Sequence, residues 1–400
     1  MTSKNLSLNV KTAESHLMKF LSVEGVTGEE KAIAGVVSAE LKKVGVPGSA
    51  IRFDKVNKRI KLPTQTGNLI VNLKGTRKGP RIAFSTHLDT VPLCAGAKPK
   101  RKGDRIVSDG KTALGGDNRT GCAVLVTLAE TLIKQKLPHP PITLLFTVRE
   151  ESGLHGAREL DVDELDGATM CFNVDGGPSA ELITGAVGQE NWEAEILGKA
   201  SHAGVAPEKG ISATLVAATA LVEAQRGGWV GKVTKPEGQG TSNPGIFGGK
   251  DGKAAGDATN VVTDYVYVRG EARSRDEKFA AAIASAYEEA FKKAETAIKD
   301  AAGETAKVKF SKQHSYPPFN LNEDSPVLTH AKRAAESIGF VPKVVFSNGG
   351  LDANWLVKHG IPTVTFGAGQ NDVHTIKEYV DLKEFANGCR MAVALATWEG

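Results

Sequence analysis

Three short, β-rich apolar runs constrain this chain most, because each stops on an imidazole or a carboxylate. Arg81-Ile-Ala-Phe-Ser-Thr ends at His87, Ile142-Thr-Leu-Leu-Phe-Thr-Val ends at Arg149-Glu150-Glu151, and Met170-Cys-Phe-Asn-Val ends at Asp175. Continuous runs of this length are what strands buried on both faces look like. Thr12 to Leu21, Glu29 to Val44 and Thr120 to Lys134 repeat apolar residues at helical spacing, and Asn68-Leu-Ile-Val-Asn-Leu alternates as a strand. Strands alternating with helices predict an α/β domain around a central mixed sheet. In open α/β sheets ligands gather at the carboxyl ends of strands. The polar groups that end these runs are therefore the first candidates for a site.

The middle of the chain has a different style. Trp192 to Leu197 alternates, Ile211 to Gln225 is a helix rich in Ala, Leu and Val, and a Gly-rich stretch runs from Gly238 to Gly256. Val261 to Ala272 alternates, Glu277 to Ala302 is a long Ala-rich helix, and Lys307 to Phe310 is a last strand. With Gly245-Ile-Phe-Gly as the second strand the order is β-α-β-β-α-β, a ferredoxin-like α+β unit. The α/β style then returns, with a helix at Val327 to Ile338 and strands at Lys343 to Phe346 and Thr363 to Gly367. The expectation is one discontinuous α/β domain, 1–187 and 316–400, interrupted by a smaller domain at 188–315. A chain of 400 residues exceeds what one core usually supports, which agrees with two domains.

A net charge of +4 over this length does not point to nucleic acid. The basic run Lys98-Pro-Lys-Arg-Lys102, followed by Arg105, lacks interleaved aromatics and reads as a solvated loop. The first residues, Met1 to Ser7, contain no apolar core of signal-peptide length, and no run is long enough to cross a bilayer. The four cysteines, Cys94, Cys122, Cys171 and Cys389, lie far apart and form no C-x-x-C pair. A cytoplasmic chain with free, buried thiols is expected, in which any metal is held by His, Asp and Glu.

Five motifs carry the chemistry. His87-Leu-Asp89 pairs an imidazole with a carboxylate two residues on, as when a ligating His gives its other N–H to a carboxylate. Gly115-Gly-Asp117-Asn-Arg-Thr-Gly121 sets a carboxylate among glycines that let backbone approach a ligand. Glu150-Glu151 places two like charges after a buried strand; a cation resolves the repulsion if one carboxylate coordinates and the other stays free as a base. Asp175-Gly-Gly177 and His374, in Gly369-Gln-Asn-Asp-Val-His-Thr-Ile-Lys377, complete the set. Taken singly these are also a structural His, an N-cap, a charged strand end, a turn and a satisfied surface His. Together, two His, two Asp and a Glu are enough for two divalent ions bridged by a carboxylate, with a second Glu left over.

The order H-x-D, G-G-D-N, E-E-x-G, D-G-G and a late His resembles the dinuclear zinc aminopeptidase/carboxypeptidase/deacylase family. Ala200-Ser-His-Ala-Gly-Val-Ala-Pro-Glu-Lys-Gly-Ile-Ser212 and Arg269-Gly-Glu-Ala-Arg-Ser-Arg275 look most like its peptidase T-like, tripeptide aminopeptidase branch. The resemblance implies a catalytic α/β domain interrupted by a β-α-β-β-α-β lid. It further implies one ion on His87, Asp117 and Asp175 and another on Asp117, Glu151 and His374, with Asp117 bridging. The same resemblance implies that Asp89 supports His87, that Glu150 is the general base and acid, and that the Asp117–Asn118 peptide is cis. It implies zinc, with cobalt or manganese also suited to the ligands. His202, Asn260 and Arg273 of the lid are substrate or oxyanion contacts in this scheme. Asn260 is also a plain turn residue, and Arg273 a plain exposed strand residue paired with Glu271. The family also implies a homodimer through the lid, with His202 reaching the partner's site; helix Ile211 to Gln225 is the candidate surface, although an alternating lid strand is equally an ordinary solvent-facing edge.

One position departs from tripeptide aminopeptidases of this branch. They carry an Arg, placed for a substrate carboxylate, where this chain has Asn348 before Gly349-Gly350. Losing that planar fork leaves the substrate open. The expected activity is metal-dependent hydrolysis of an amide near the end of a short peptide, with no nucleic acid or membrane partner. Removal of an N-acyl group from an amino acid uses the same chemistry. A non-catalytic metal-binding homologue is disfavoured because every catalytic position is filled. A dinuclear phosphodiesterase is disfavoured because the motifs carry no extra Arg or Lys.

Overall fold

The computed structural model describes residues 8–399. The Met1 to Ser7 segment, expected to lack a leader, lies outside them. The chain divides into two compact units, Met1–Ala186 with Phe319–Gly400, and Val187–Pro318.

Among the described residues, the first unit is built on a nine-stranded mixed sheet. Its order is Ile51–Phe53, Leu69–Leu73, Ile142–Thr147, Ile82–His87, Cys171–Val174, Thr363–Phe366, Glu181–Ala186 and Phe319–Asn320, with Lys343–Ser347 also pairing Glu181–Ala186. The four central strands, from Ile142–Thr147 to Thr363–Phe366, are mutually parallel. Their carboxyl ends therefore share one edge, and the residues following Thr147 and Val174 emerge there beside His87. Successive side chains of a strand face opposite sides of the sheet. Phe84, Leu144, Phe146 and Phe172 join one core with the helices Val10–Leu21, Gly116–Gln135 and Leu382–Thr397. Ala83, Leu145 and Cys171 join another with Leu356 of the helix Asp352–Lys358. Burial on both faces is why these strands read as unbroken apolar runs. A small antiparallel sheet joins Gln370–Asn371, Tyr379–Asp381, Arg105–Val107 and Lys100–Lys102. The basic run is thus an exposed edge strand rather than a loop. All four cysteines are free and buried. No described helix is long and apolar enough to cross a membrane.

The second unit has a five-stranded antiparallel sheet ordered Gly231–Lys235, Gly238–Gly248, Tyr265–Ser274, Gly188–Leu197 and Lys307–Tyr316, with helices Ala213–Arg226 and Glu277–Ala297. Without its first edge strand this is the ferredoxin-like order. Gly238–Gly248 of the Gly-rich stretch is one strand with its own hairpin partner, Gly231–Lys235, longer than the expected Gly245-Ile-Phe-Gly. Its glycines make room for a neighbour: a Cβ on Gly238 would lie 2.7 Å from the Phe279 ring, and one on Gly240 2.8 Å from Ile283. The long helix stops at Ala297, short of the expected Ala302. Beyond it the Asp300 carboxylate accepts the N–H groups of Ala302 and Glu304, both at 2.9 Å, which favours a turn.

Trp192 centres this second core. It stacks on Tyr287 with ring centroids 4.3 Å apart and lies 5.7 Å from Phe310. Across the ladder sits Gly270, where a Cβ would lie 2.3 Å from the indole. Trp192→Ala is expected to cost about 3–5 kcal/mol, seen as a lower urea midpoint by circular dichroism; an unchanged midpoint would contradict this packing.

Candidate metal centre

The shared edge of the four parallel strands brings together residues far apart in sequence. His87 ends its strand and is 2% exposed. Its Nε2 lies 3.0 Å from Asp117 Oδ1, while its Nδ1 faces the Asp89 backbone oxygen at 3.0 Å and the Asp89 carboxylate at 3.4 Å. The other Asp117 oxygen lies 3.2 Å from His374 Nε2, which is 2.9 Å from a Glu151 carboxylate oxygen. Asp117 thus sits between the two imidazoles. Donor atoms of His87, Glu150 and Asp175 lie within 4.8 Å of one another, as do those of His87, Asp117 and Glu151. The expected ligands and the expected base share one cluster. Glu150 groups with His87 and Asp175, and His374 joins through Asp117 and Glu151.

The Asp117–Asn118 peptide is cis. Asn118 is fully buried; its amide donates to the Val174 carbonyl at 2.7 Å, and its side-chain oxygen accepts from Gly121 N–H at 2.9 Å and Gln370 Nε2 at 2.9 Å. The Asp117 loop is thereby tied to the strand that leads into Asp175. A Cβ on Gly121 would lie 2.0 Å from Thr86 Oγ1, so only glycine lets this helix start so close to the sheet.

The Glu150-Glu151 turn is held by acceptors from three other segments. The backbone N–H groups of Val148, Arg149, Glu150 and Glu151 donate in turn to Asn68 Oδ1, Glu30 Oε1, Asp89 Oδ1 and Asp89 Oδ2, at 3.0, 3.0, 3.0 and 3.1 Å. Asp89 therefore serves two motifs: it faces His87 and anchors both glutamates. Asn68, Glu30, Gln370 and Glu378, which holds the Asp117 loop, carry no motif that would single them out in the sequence. Asp352 is another buried carboxyl in this region, accepting from the Thr147 hydroxyl.

The charges favour cations. Burial, and then Asp117, push the Glu151 carboxyl up to about 7. Burial raises Glu150 and Asp175 well above the carboxylate range, with Asp175 and Glu151 adding to the first and Asp117 and Glu151 to the second, against His87. Burial also opposes the charged form of Asp117, but hydrogen bonds from His374 and His87 outweigh it and hold it low. Bonds to Asp117 and Glu151 raise His374 to about 10. Burial and mutual repulsion oppose ionising four carboxyls together around two imidazoles; divalent cations would favour the ionised form, and this N/O donor set suits zinc-like ions.

Of the remaining predicted residues, His202, Asn260 and Arg273 belong to the second unit and Asn348 to the first. His202 and Asn260 are adjacent and exposed in the second unit: Ala203 N–H donates to the Asn260 carbonyl at 2.8 Å, and His202 bridges Val261. Arg273 is the next-to-last residue of strand Tyr265–Ser274; it is half-buried rather than exposed, and its Nε donates to Glu271 at 2.9 Å. Asn348 is exposed in the turn after Lys343–Ser347.

The family model of Peptidase family M20/M25/M40 matches residues 83–398, the span that holds every ligand candidate. The chain belongs to this family. The M20 assignment makes it a hydrolytic metalloenzyme, a metallopeptidase with the family's α/β fold. It is 32% identical to "Uncharacterized protein YqjE" of Bacillus subtilis over 97% of this chain and 98% of that one. Among solved structures it is similar to aminopeptidase PepT from Bacillus cereus, with 33% identity, 98% of both chains covered and a TM-score of 0.82. It is also similar to a tripeptidase from Staphylococcus aureus, with 28% identity, 98% of both chains covered and a TM-score of 0.85.

Proposed function

We propose that this M20 peptidase is an aminopeptidase of short peptides, tripeptides first, working with two zinc ions. His87, Asp117 and Asp175 would hold one ion and Asp117, Glu151 and His374 the other. The observation that carries this is the position of Glu150: buried beside His87 and Asp175, its backbone anchored by Asp89, and next in sequence to a glutamate engaged with His374. When bound, the two cations supply positive charge that acidifies a water molecule and offsets the charge growing on the scissile carbonyl oxygen. The chain's own residues do the rest. Glu150 takes the proton of the attacking water and returns it to the leaving amine. Asp89 keeps the Glu150 and Glu151 backbone in register with His87. His202 is the proposed donor to the oxyanion, and Asn260 and Arg273 are further substrate contacts. A homodimer through the second unit is part of the proposal, supported by Leu215 and Val222, 51% and 44% exposed on helix Ala213–Arg226. The proposed location is the cytoplasm.

Asn348 supports a second reading, removal of N-acyl groups from amino acids. Matched tripeptides, dipeptides and N-acetyl amino acids, assayed with added zinc and again after chelation, separate the two. Chelator-sensitive release of the N-terminal residue from tripeptides supports the aminopeptidase; preference for the acyl amino acids moves the substrate class and keeps the site. Asn348→Arg is expected to lower KM for a tripeptide about 10-fold, the scale of a hydrogen-bonded charge pair, and to leave its C-terminal amide analogue unchanged. Equal effects on both peptides would remove Asn348 from the substrate site.

A further inference from the structure

The loop that presents Asp117 has a carboxylate of its own. Glu378 is 2% exposed and receives three backbone N–H groups: Leu114 at 2.8 Å and Gly115 at 2.9 Å on one oxygen, Asp117 at 3.0 Å on the other. We propose that Glu378 is the positioning residue of the metal centre, fixing Asp117 against both imidazoles; this rests on the dinuclear reading above. Its carboxylate is occupied by backbone, so it acts through Asp117 and touches neither substrate nor reacting atoms.

Three features fit this role. One donor is the N–H of Asp117 itself, so the bond fixes the backbone from which the bridging side chain springs. The glycine pair is shaped around the carboxylate: Gly115 has φ +81°, and a Cβ on Gly116 would lie 3.2 Å from a Glu378 oxygen and 2.8 Å from Val380. Finally, Glu378 follows His374 by four residues in a turn closed by Glu378 N–H to the Thr375 carbonyl at 3.1 Å. One short segment thus supplies His374 to the Asp117 side chain and receives the Asp117 backbone. Three N–H groups converging on two oxygens suit a carboxyl group, because an amide would turn its own N–H₂ against one set of donors.

The test is Glu378→Gln with two readouts. In chelated protein, amide hydrogen exchange at Leu114, Gly115 and Asp117 is expected to quicken while the central strands keep their protection. In a zinc titration by calorimetry, at least one site is expected to weaken about 10–100-fold, as for other residues that orient metal ligands, with turnover recovering as zinc is raised. A merely structural Glu378 would lower the melting temperature and leave the zinc isotherm unmoved; that result overturns the proposal. Should the Gln variant not fold, Glu378→Asp keeps the charge and retracts it by one methylene. Wild-type zinc affinity in that variant would equally overturn it. Wild-type protein that takes up no zinc would overturn the dinuclear reading itself, and this proposal with it.

Discussion

Glu150→Gln is expected to lower kcat by about 10²–10⁴-fold while both cations stay bound. The substitution preserves shape and removes only the capacity to accept and return a proton. Glu150 is 8% exposed, its N–H is fixed on Asp89, and its carboxyl lies with His87 and Asp175, so the amide is held in the same place. Measuring turnover together with metal content by mass spectrometry separates chemistry from binding. Near-normal turnover with two metals bound would take the base role away from Glu150.

Asp117→Ala is expected to bring turnover to background through the metals themselves. This carboxylate stands between His87 at 3.0 Å and His374 at 3.2 Å, and its own backbone is anchored on Glu378. Without it the imidazoles lose their common partner, and Glu151 loses the neighbour that orients His374. The metal content should fall below two per chain. Two ions retained at wild-type affinity would show that Asp117 does not bridge.

Much of this centre was legible in the sequence because parallel strands buried on both faces leave a plain signal. An apolar run that ends on His87, Glu150 or Asp175 marks both a strand and its carboxyl end, and parallel order then places those ends together. The supporting residues left no such trace. Glu378, Glu30 and Asn68 bind backbone N–H groups of segments distant in sequence, so their partners exist only in the fold. Asp89 was legible as a partner of His87, but its hold on Glu150 and Glu151 was not, since backbone donors carry no residue identity. The Gly-Gly pair at 115–116 was expected to let backbone approach a ligand; what approaches it is the Glu378 carboxylate. In the second unit the strand Gly238–Gly248 was hidden because its glycines are set by packing under Phe279 and Ile283, a tertiary demand that overrides strand propensity.

The most direct test of the central claim follows the release of the N-terminal residue from a tripeptide while zinc is returned to chelated protein in known equivalents. Activity that is absent at the start and rises to a plateau at two equivalents per chain is the predicted result. Full turnover in the chelated protein, or none with two zinc ions bound, would contradict it.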